Sequence, residues 1–340
     1  MSASASPAEL ALPIVDTALA ERLRERMATV EEALFGHATS RAPYVTEAAR
    51  HLLAAGGKRF RPLLVLLAAE VGPRPDAPEV LTAACVVEIT HVGSLYHDDV
   101  MDEADLRRGA DSANSRYDNL VAILTGDFLF AKSSELTSQL GPEAVRIQAE
   151  TFTRLVEGQI LETVTPGPED DALQHYLEVV AGKTGSLIAT SAHYGALFSG
   201  ADPSVVSALK EYGELVGTAF QLSDDILDIA SETEESGKTP GTDLKEGVPT
   251  LPVLMARAST DPGDARLLEL LDPAKSDLAG DADLHAEALG LLRKHPAMEE
   301  ARSYVVARAQ EAKQLLSVLP EGSVRSALEA FADVVAVRSA

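Results

Sequence analysis

One carboxylate pattern is written twice in this chain, 126 positions apart. The first copy is His97-Asp98-Asp99-Val100-Met101-Asp102, and the second is Gln221-Leu222-Ser223-Asp224-Asp225-Ile226-Leu227-Asp228. In each, the outer aspartates are four apart, so on a helix they stack one turn, roughly 6 Å, above each other on one face. Stacked carboxylates repel each other and weaken the helix. Both copies fall near the C-terminal ends of long apolar stretches, where the helix dipole is unfavourable to negative charge as well. The arrangement makes sense if a hard cation is shared between the carboxylates. Oxygen-only ligands favour Mg²⁺ or Mn²⁺, and Mg²⁺ held by a few carboxylates usually completes its shell with substrate phosphates.

Diphosphate chemistry also needs cations for the oxygens a metal does not reach. Gly56-Gly57-Lys58-Arg59-Phe60-Arg61-Pro62 places three of them at a glycine-rich turn running into a helix, where backbone N–H groups add to the anion site. Arg107-Arg108-Gly109 follows the first aspartate motif, and Gly182-Lys183-Thr184-Gly185-Ser186 and Gly237-Lys238-Thr239 add two lysines among small residues. His91 lies seven residues before Asp98, two turns away on roughly the same face, and suits a substrate hydrogen bond. No second His or Cys lies at zinc-ligand spacing.

These residues need helices to hold them, and helical periodicity dominates the chain. The spacing predicts helices over 18–34, 62–71, 80–100, 120–140, 144–163, 173–198, 205–229, 251–258, 286–294, 298–319 and 324–337. Short Gly/Pro breakers separate several of them, as at Gly72-Pro73-Arg74-Pro75 and Pro166-Gly167-Pro168. No alternating β-branched segment with hairpin turns appears. The expectation is an all-α protein, with a flexible N-terminus over 1–16 and one domain over 17–340.

Composition limits the partners. The 340 residues include 53 acidic and 29 basic side chains, a formal net charge of −24. That argues against a nucleic-acid or anionic-membrane surface. Cys85 is the one cysteine, so no intrachain disulfide forms, and its Ala/Val flanks suggest a buried structural thiol. No uninterrupted apolar run is long enough for a transmembrane helix, and the start of the chain lacks signal-peptide features. A cytoplasmic protein is expected.

Taken together, the motifs resemble the trans-isoprenyl diphosphate synthases, or polyprenyl synthetases, over about residues 45 to 255. The markers are Gly56-Gly57-Lys58-Arg59-Phe60-Arg61-Pro62, Leu95 to Asp102 with Arg107-Arg108-Gly109, Lys183-Thr184-Gly185-Ser186-Leu187, and Phe220-Gln221-Leu222-Ser223-Asp224-Asp225. The resemblance implies an all-α isoprenoid-synthase bundle around a deep central cavity, usually a homodimer. It implies that Asp98, Asp102 and Asp224 resemble the ligands of a three-Mg²⁺ cluster gripping an allylic diphosphate, with Asp99, Asp225 and Asp228 behind them. Arg107, Lys183 and Lys238 match allylic diphosphate contacts. Lys58, Arg61, His91 and Arg108 match the isopentenyl diphosphate pocket, and Thr184 and Gln221 match residues whose oxygens lie near the reacting carbons. One position departs from the family: Val248 stands where members often carry a second lysine.

Product length depends on what blocks the growing tail along the helix below Asp98. Gly93 and Ser94, five and four positions earlier, are small where short-chain members often place a bulky floor. Thr90, Val87 and Val86 are modest in size, and Phe128 or Phe130 on the next helix is a candidate floor. The expectation is a product of about thirty carbons or more, with geranylgeranyl diphosphate as the alternative. A class I terpene cyclase would have no reason to keep Lys58, Arg61 and Arg108 for a second diphosphate. A non-catalytic partner subunit of a heteromeric synthase would have no reason to keep both aspartate motifs.

Overall fold

A computed structural model describes residues 14–167, 169–231 and 240–337. Residues 1–13 of the expected flexible segment lie outside these, whereas Asp16 caps the first helix by accepting from the Leu19 amide at 3.0 Å. Among the described residues the fold is all-α, as the periodicity predicts. The exception is a two-residue antiparallel pair, Leu106–Arg107 (β1) with Ala110–Asp111 (β2). The chain forms two compact units.

The first unit takes its described residues from Met1–Phe152, Leu187–Gly213 and Leu316–Ala330. It contains α1 (Thr17–His37), α2 (Pro43–Ala54), α3 (Phe60–Ala69), α4 (Pro78–Met101), α5 (Ala113–Tyr117) and α6 (Asn119–Gln139). Helix α1 buries Leu19, Leu23, Met27, Val30 and Leu34, a stripe at three- and four-residue spacing. Helix α3 is buried all round except at Arg61, and α4 is buried on most sides from Val80 to Tyr96. Such helices read as continuous apolar runs, which is why α4 was legible as one long element. Cys85 sits in this core; burial, helped by Glu88 and Glu31, pushes its thiol up to about 12. The short helices α2 and α5 were not foreseen. Pro43 and Pro78 occupy first-turn positions, where a missing N–H costs nothing.

Helix α7 (Pro142–Glu162), α9 (Ser186–Ser199) and α10 (Pro203–Ala230) contribute residues to both units. The second unit takes its described residues from Thr153–Ser186, Glu214–Leu315 and Phe331–Ala340. It holds α8 (Ala172–Val180), α11 (Thr242–Glu246), α12 (Leu251–Arg257), α13 (Ala265–Leu270), α14 (Ala282–Leu292) and α15 (Ala297–Leu315); α16 spans Ser323–Val337. The predicted helix over 173–198 is interrupted by a π-helical turn, Ala181–Gly185. That turn carries Lys183 and Thr184. Single π-turns inserted in helices often mark functional sites, because the extra residue re-aims side chains.

Candidate active site

The first aspartate motif closes α4. Asp98 is half-buried and Asp102 is exposed, while Asp99 between them is fully buried. Asp99 uses both oxygens on the chain itself: it accepts from Arg107 Nε at 2.6 Å and from the Ala113 amide at 3.0 Å. The middle aspartate therefore folds the 102–113 loop back onto the helix. This sets the Arg107 guanidinium 3.8 Å from Asp102.

Two chain segments, 56–62 and 107–108, bring cations together in the same unit. Arg108 has a left-handed backbone (φ 55) and donates to the Gly56 carbonyl and, at 3.4 Å, to that of Leu52. Its guanidinium lies where a Cβ on Gly57 would be, within 2.7–2.9 Å, so the turn there requires glycine. Lys58 is exposed and Arg61 half-buried. Arg59, between them, has a different role. It is 6% exposed, pairs with Glu31 at 2.6 Å and with buried Glu88 at 2.9 Å, and donates to the Leu53 carbonyl at 3.0 Å. It is a structural tie that holds a strained turn (φ 49).

His91 is half-buried beside this cluster. Burial, with Arg61, Arg108, Arg59 and Arg107 adding in the same sense, holds its imidazole well below the usual value of 6.5, so it is neutral. The same causes predict a pH dependence of stability. The unfolded chain binds a proton at His91 below about pH 6.5 and the native state does not, so this contribution is present above that pH and is lost as pH falls. Unfolding free energies from urea titrations between pH 7 and 5 should fall less steeply with pH in His91→Asn, by up to about 1.4 kcal/mol per pH unit. Equal slopes would show that His91 is not held neutral.

The second motif lies near the end of α10, in the second unit. Asp225 is 4% exposed and, like Asp99, is used by the protein. The Tyr176 hydroxyl donates to its Oδ2, and Gln221 Nε2 donates to Oδ1 at 2.9 Å. Burial raises its carboxyl to about 6, with Asp224 and Asp228 pushing the same way and the two hydrogen bonds opposing. Gln221 Oε1 accepts from Thr184 Oγ1 at 2.9 Å, so the structure brings Thr184, Gln221 and Asp225 into one chain of hydrogen bonds. Asp228 accepts from the Thr242 and Asp243 amides, both at 3.2 Å, capping α11. Asp224 is half-buried. Lys183 pairs with Glu162 of α7 at 2.6 Å. The π-turn packs so closely on α7 that a Cβ on Gly158 would overlap the Lys183 amide, and one on Gly182 would come 2.8 Å from the Arg154 carbonyl. Lys238 lies outside the described residues, and Val248 is half-buried. Sequence reasoning missed Tyr176 and Glu162, whose partners are 49 and 21 positions away.

The expected chain-length residues lie on α4 and α6. Gly93 faces α6, where an added Cβ would lie 3.0 Å from the Phe130 ring and 3.4 Å from the Gly126 carbonyl. Its lack of a side chain is used by the α4–α6 crossing. Ser94 Oγ donates to the His91 carbonyl at 2.8 Å. Phe128 is half-buried beneath Lys132, whose ammonium lies 5.8 Å from its ring centre. Phe130 packs against His97 and Phe152. Thr90 bonds to Ser133 at 2.7 Å and to Gln148 at 2.8 Å, a buried polar cluster where the sequence suggested plain lining.

Among the described residues, no group of three or more His, Cys, Asp or Glu side chains could hold a metal ion. Mg²⁺ is commonly bound by one or two carboxylates plus substrate phosphates rather than by an all-protein cage. Asp98 with Asp102, and Asp224, fit that donor set; Asp99 and Asp225, committed to protein donors, do not.

The model for polyprenyl synthetases matches residues 42–287. A nonaprenyl diphosphate synthase of Mycobacterium tuberculosis is 47% identical over 323 residues, 95% of this chain and 95% of that protein. A geranylgeranyl pyrophosphate synthase of Corynebacterium glutamicum, complexed with calcium and isoprenyl diphosphate, superposes with a TM-score of 0.85 at 43% identity, covering 96% of this chain and 99% of that one. A polyprenyl synthase of Caulobacter crescentus, again complexed with calcium and isoprenyl diphosphate, gives 0.86 at 32% identity over 99% and 100% of the two chains. The chain belongs to the polyprenyl synthetase family.

Proposed function

We propose that residues 17–340 form one chain-elongating trans-prenyltransferase. It condenses isopentenyl diphosphate with an allylic diphosphate to give an all-trans polyprenyl diphosphate of about thirty carbons or more. The observation that carries this reading is the basic cluster of Arg61, Arg107 and Arg108 around neutral His91, in a chain of net charge −24. Such a cluster, in the same unit as Asp98 and Asp102, suits two phosphorylated substrates. The nonaprenyl synthase relative supports a long product. The geranylgeranyl synthase neighbour, together with Gly93 closed against Phe130, supports the shorter alternative.

Asp98, Asp102 and Asp224 would hold Mg²⁺, in the family pattern three ions, with Mn²⁺ as a substitute. When bound, the metal supplies charge neutralisation that makes diphosphate a leaving group. Arg107, Lys183 and Lys238 bind the allylic diphosphate and stabilise the charge that builds as it departs. Lys58, Arg61, Arg108 and His91 hold isopentenyl diphosphate so that its double bond meets the allylic carbon. Thr184 and Gln221 turn oxygens toward the cation. A closed apolar cavity keeps water from quenching it, and departing pyrophosphate takes the proton that restores an allylic product. No helix of the described residues is long and apolar enough to cross a membrane, in keeping with a cytoplasmic enzyme. Exposed Leu120, Ile123 and Leu124 leave an apolar stripe on α6, in keeping with a homodimer.

Incubating the pure protein with isopentenyl diphosphate, each allylic starter and Mg²⁺ should give polyprenyl diphosphates by mass spectrometry, and excess chelator should stop the reaction. Elongation that continues in chelator would overturn the reading. A product stopping at geranylgeranyl would select the shorter alternative.

A further inference from the structure

We propose that Tyr176, a residue outside both aspartate motifs, is a positioning residue for prenyl transfer that acts through Asp225 on Gln221 and Thr184. The inference rests on the function proposed above. Tyr176 lies on α8 and is 7% exposed. Its hydroxyl donates to Asp225 Oδ2, and the Leu251 backbone amide faces its oxygen. The phenol O–H is the donor and the carboxylate oxygen the acceptor.

That bond decides which way an amide points. The two ends of a glutamine amide have nearly the same shape, so only its partners set its orientation. Asp225 Oδ1 takes Gln221 Nε2, and this leaves Gln221 Oε1 turned toward the Thr184 hydroxyl. The order is Tyr176, Asp225, Gln221, Thr184, with every link inside the second unit. Without the phenol, Oδ2 has no fixed donor there and the carboxylate is free to turn. Gln221 then loses the acceptor that fixes its amide, and the Thr184 hydroxyl loses its fixed acceptor in turn. Dipoles aimed in advance at developing charge lower a barrier; dipoles that must reorient during the reaction do not. The loss should therefore appear in kcat and leave substrate binding alone.

Tyr176→Phe keeps the ring and removes the hydroxyl. The expected result is a kcat lower by about tenfold or more, with KM for both diphosphates changed by less than about twofold. In a Gln221→Ala background, the same substitution should have no further effect on kcat, because the two act in one chain. A kcat equal to wild type, or a loss that multiplies unchanged in the Gln221→Ala background, overturns the proposal. The second outcome shows that Tyr176 acts independently of Gln221, and circular dichroism with the unfolding midpoint of Tyr176→Phe reports any loss of stability. If wild type itself transfers no prenyl group, the functional reading has failed and this inference falls with it. A working wild type with unaffected Tyr176→Phe condemns only the inference.

Discussion

Replacing Asp98 with alanine should lower kcat by roughly a thousandfold or more and leave the fold intact, because transition-state charge stabilisation is lost. Asp98 stands half-buried on the last turn of α4, one turn from Asp102. Removing it relieves a like-charge stack at a helix C-terminus, which favours the helix. Product formation followed by mass spectrometry, beside far-UV circular dichroism and a urea midpoint, separates the two effects. Activity within tenfold of wild type would mean that the first motif does not grip the diphosphate. Asp99 offers a contrast on the same turn: it is buried and bonded to Arg107 and Ala113, so its loss should disturb the 102–113 loop as well as the chemistry.

The largest stability effect is expected at Arg59. Arg59→Met should destabilise the first unit by about 3–5 kcal/mol, since removing one partner leaves Glu88, 1% exposed, as a buried charge without its guanidinium. The adjacent Lys58→Ala should unfold like wild type, because Lys58 is exposed. Chemical denaturation of the variants tests both statements. Adding Glu88→Leu to Arg59→Met should recover much of the loss, as replacing a whole buried pair by apolar groups costs far less than breaking it. If Arg59→Met unfolds at the wild-type midpoint, the pair with Glu88 is not structural. Three adjacent cations in one motif thus divide into two kinds. Lys58 and Arg61 remain candidates for substrate, and Arg59 ties the turn to α1 and α4.

The two aspartate motifs show how far local pattern carries. Their four-residue spacing placed the outer carboxylates on one helix face, and the apolar runs before them announced α4 and α10. The middle residues looked equivalent to the outer ones in composition, yet Asp99 and Asp225 turned inward. Nothing local signals that, because their donors come from Arg107, Ala113, Tyr176 and Gln221, three of them eight or more positions away. The interruption at 181–185 was equally hidden. It lies where Gly158 and Gly182, on separate helices, approach closely. Gly93 carried a signal, smallness, that fits either an open tunnel or a tight crossing, and its close approach to Phe130 on α6 depends on packing that no local pattern announces.

Helical periodicity, the repeated carboxylates and the scattered basic turns are properties of neighbouring residues, so the order of amino acids was enough to specify an all-α chain with diphosphate chemistry. Which carboxylate faces inward, which arginine is a tie, and which glycine is a crossing depend on partners far away along the chain. Burial and hydrogen bonding are settled only when those distant segments pack, and at that level residues of one type acquire different work.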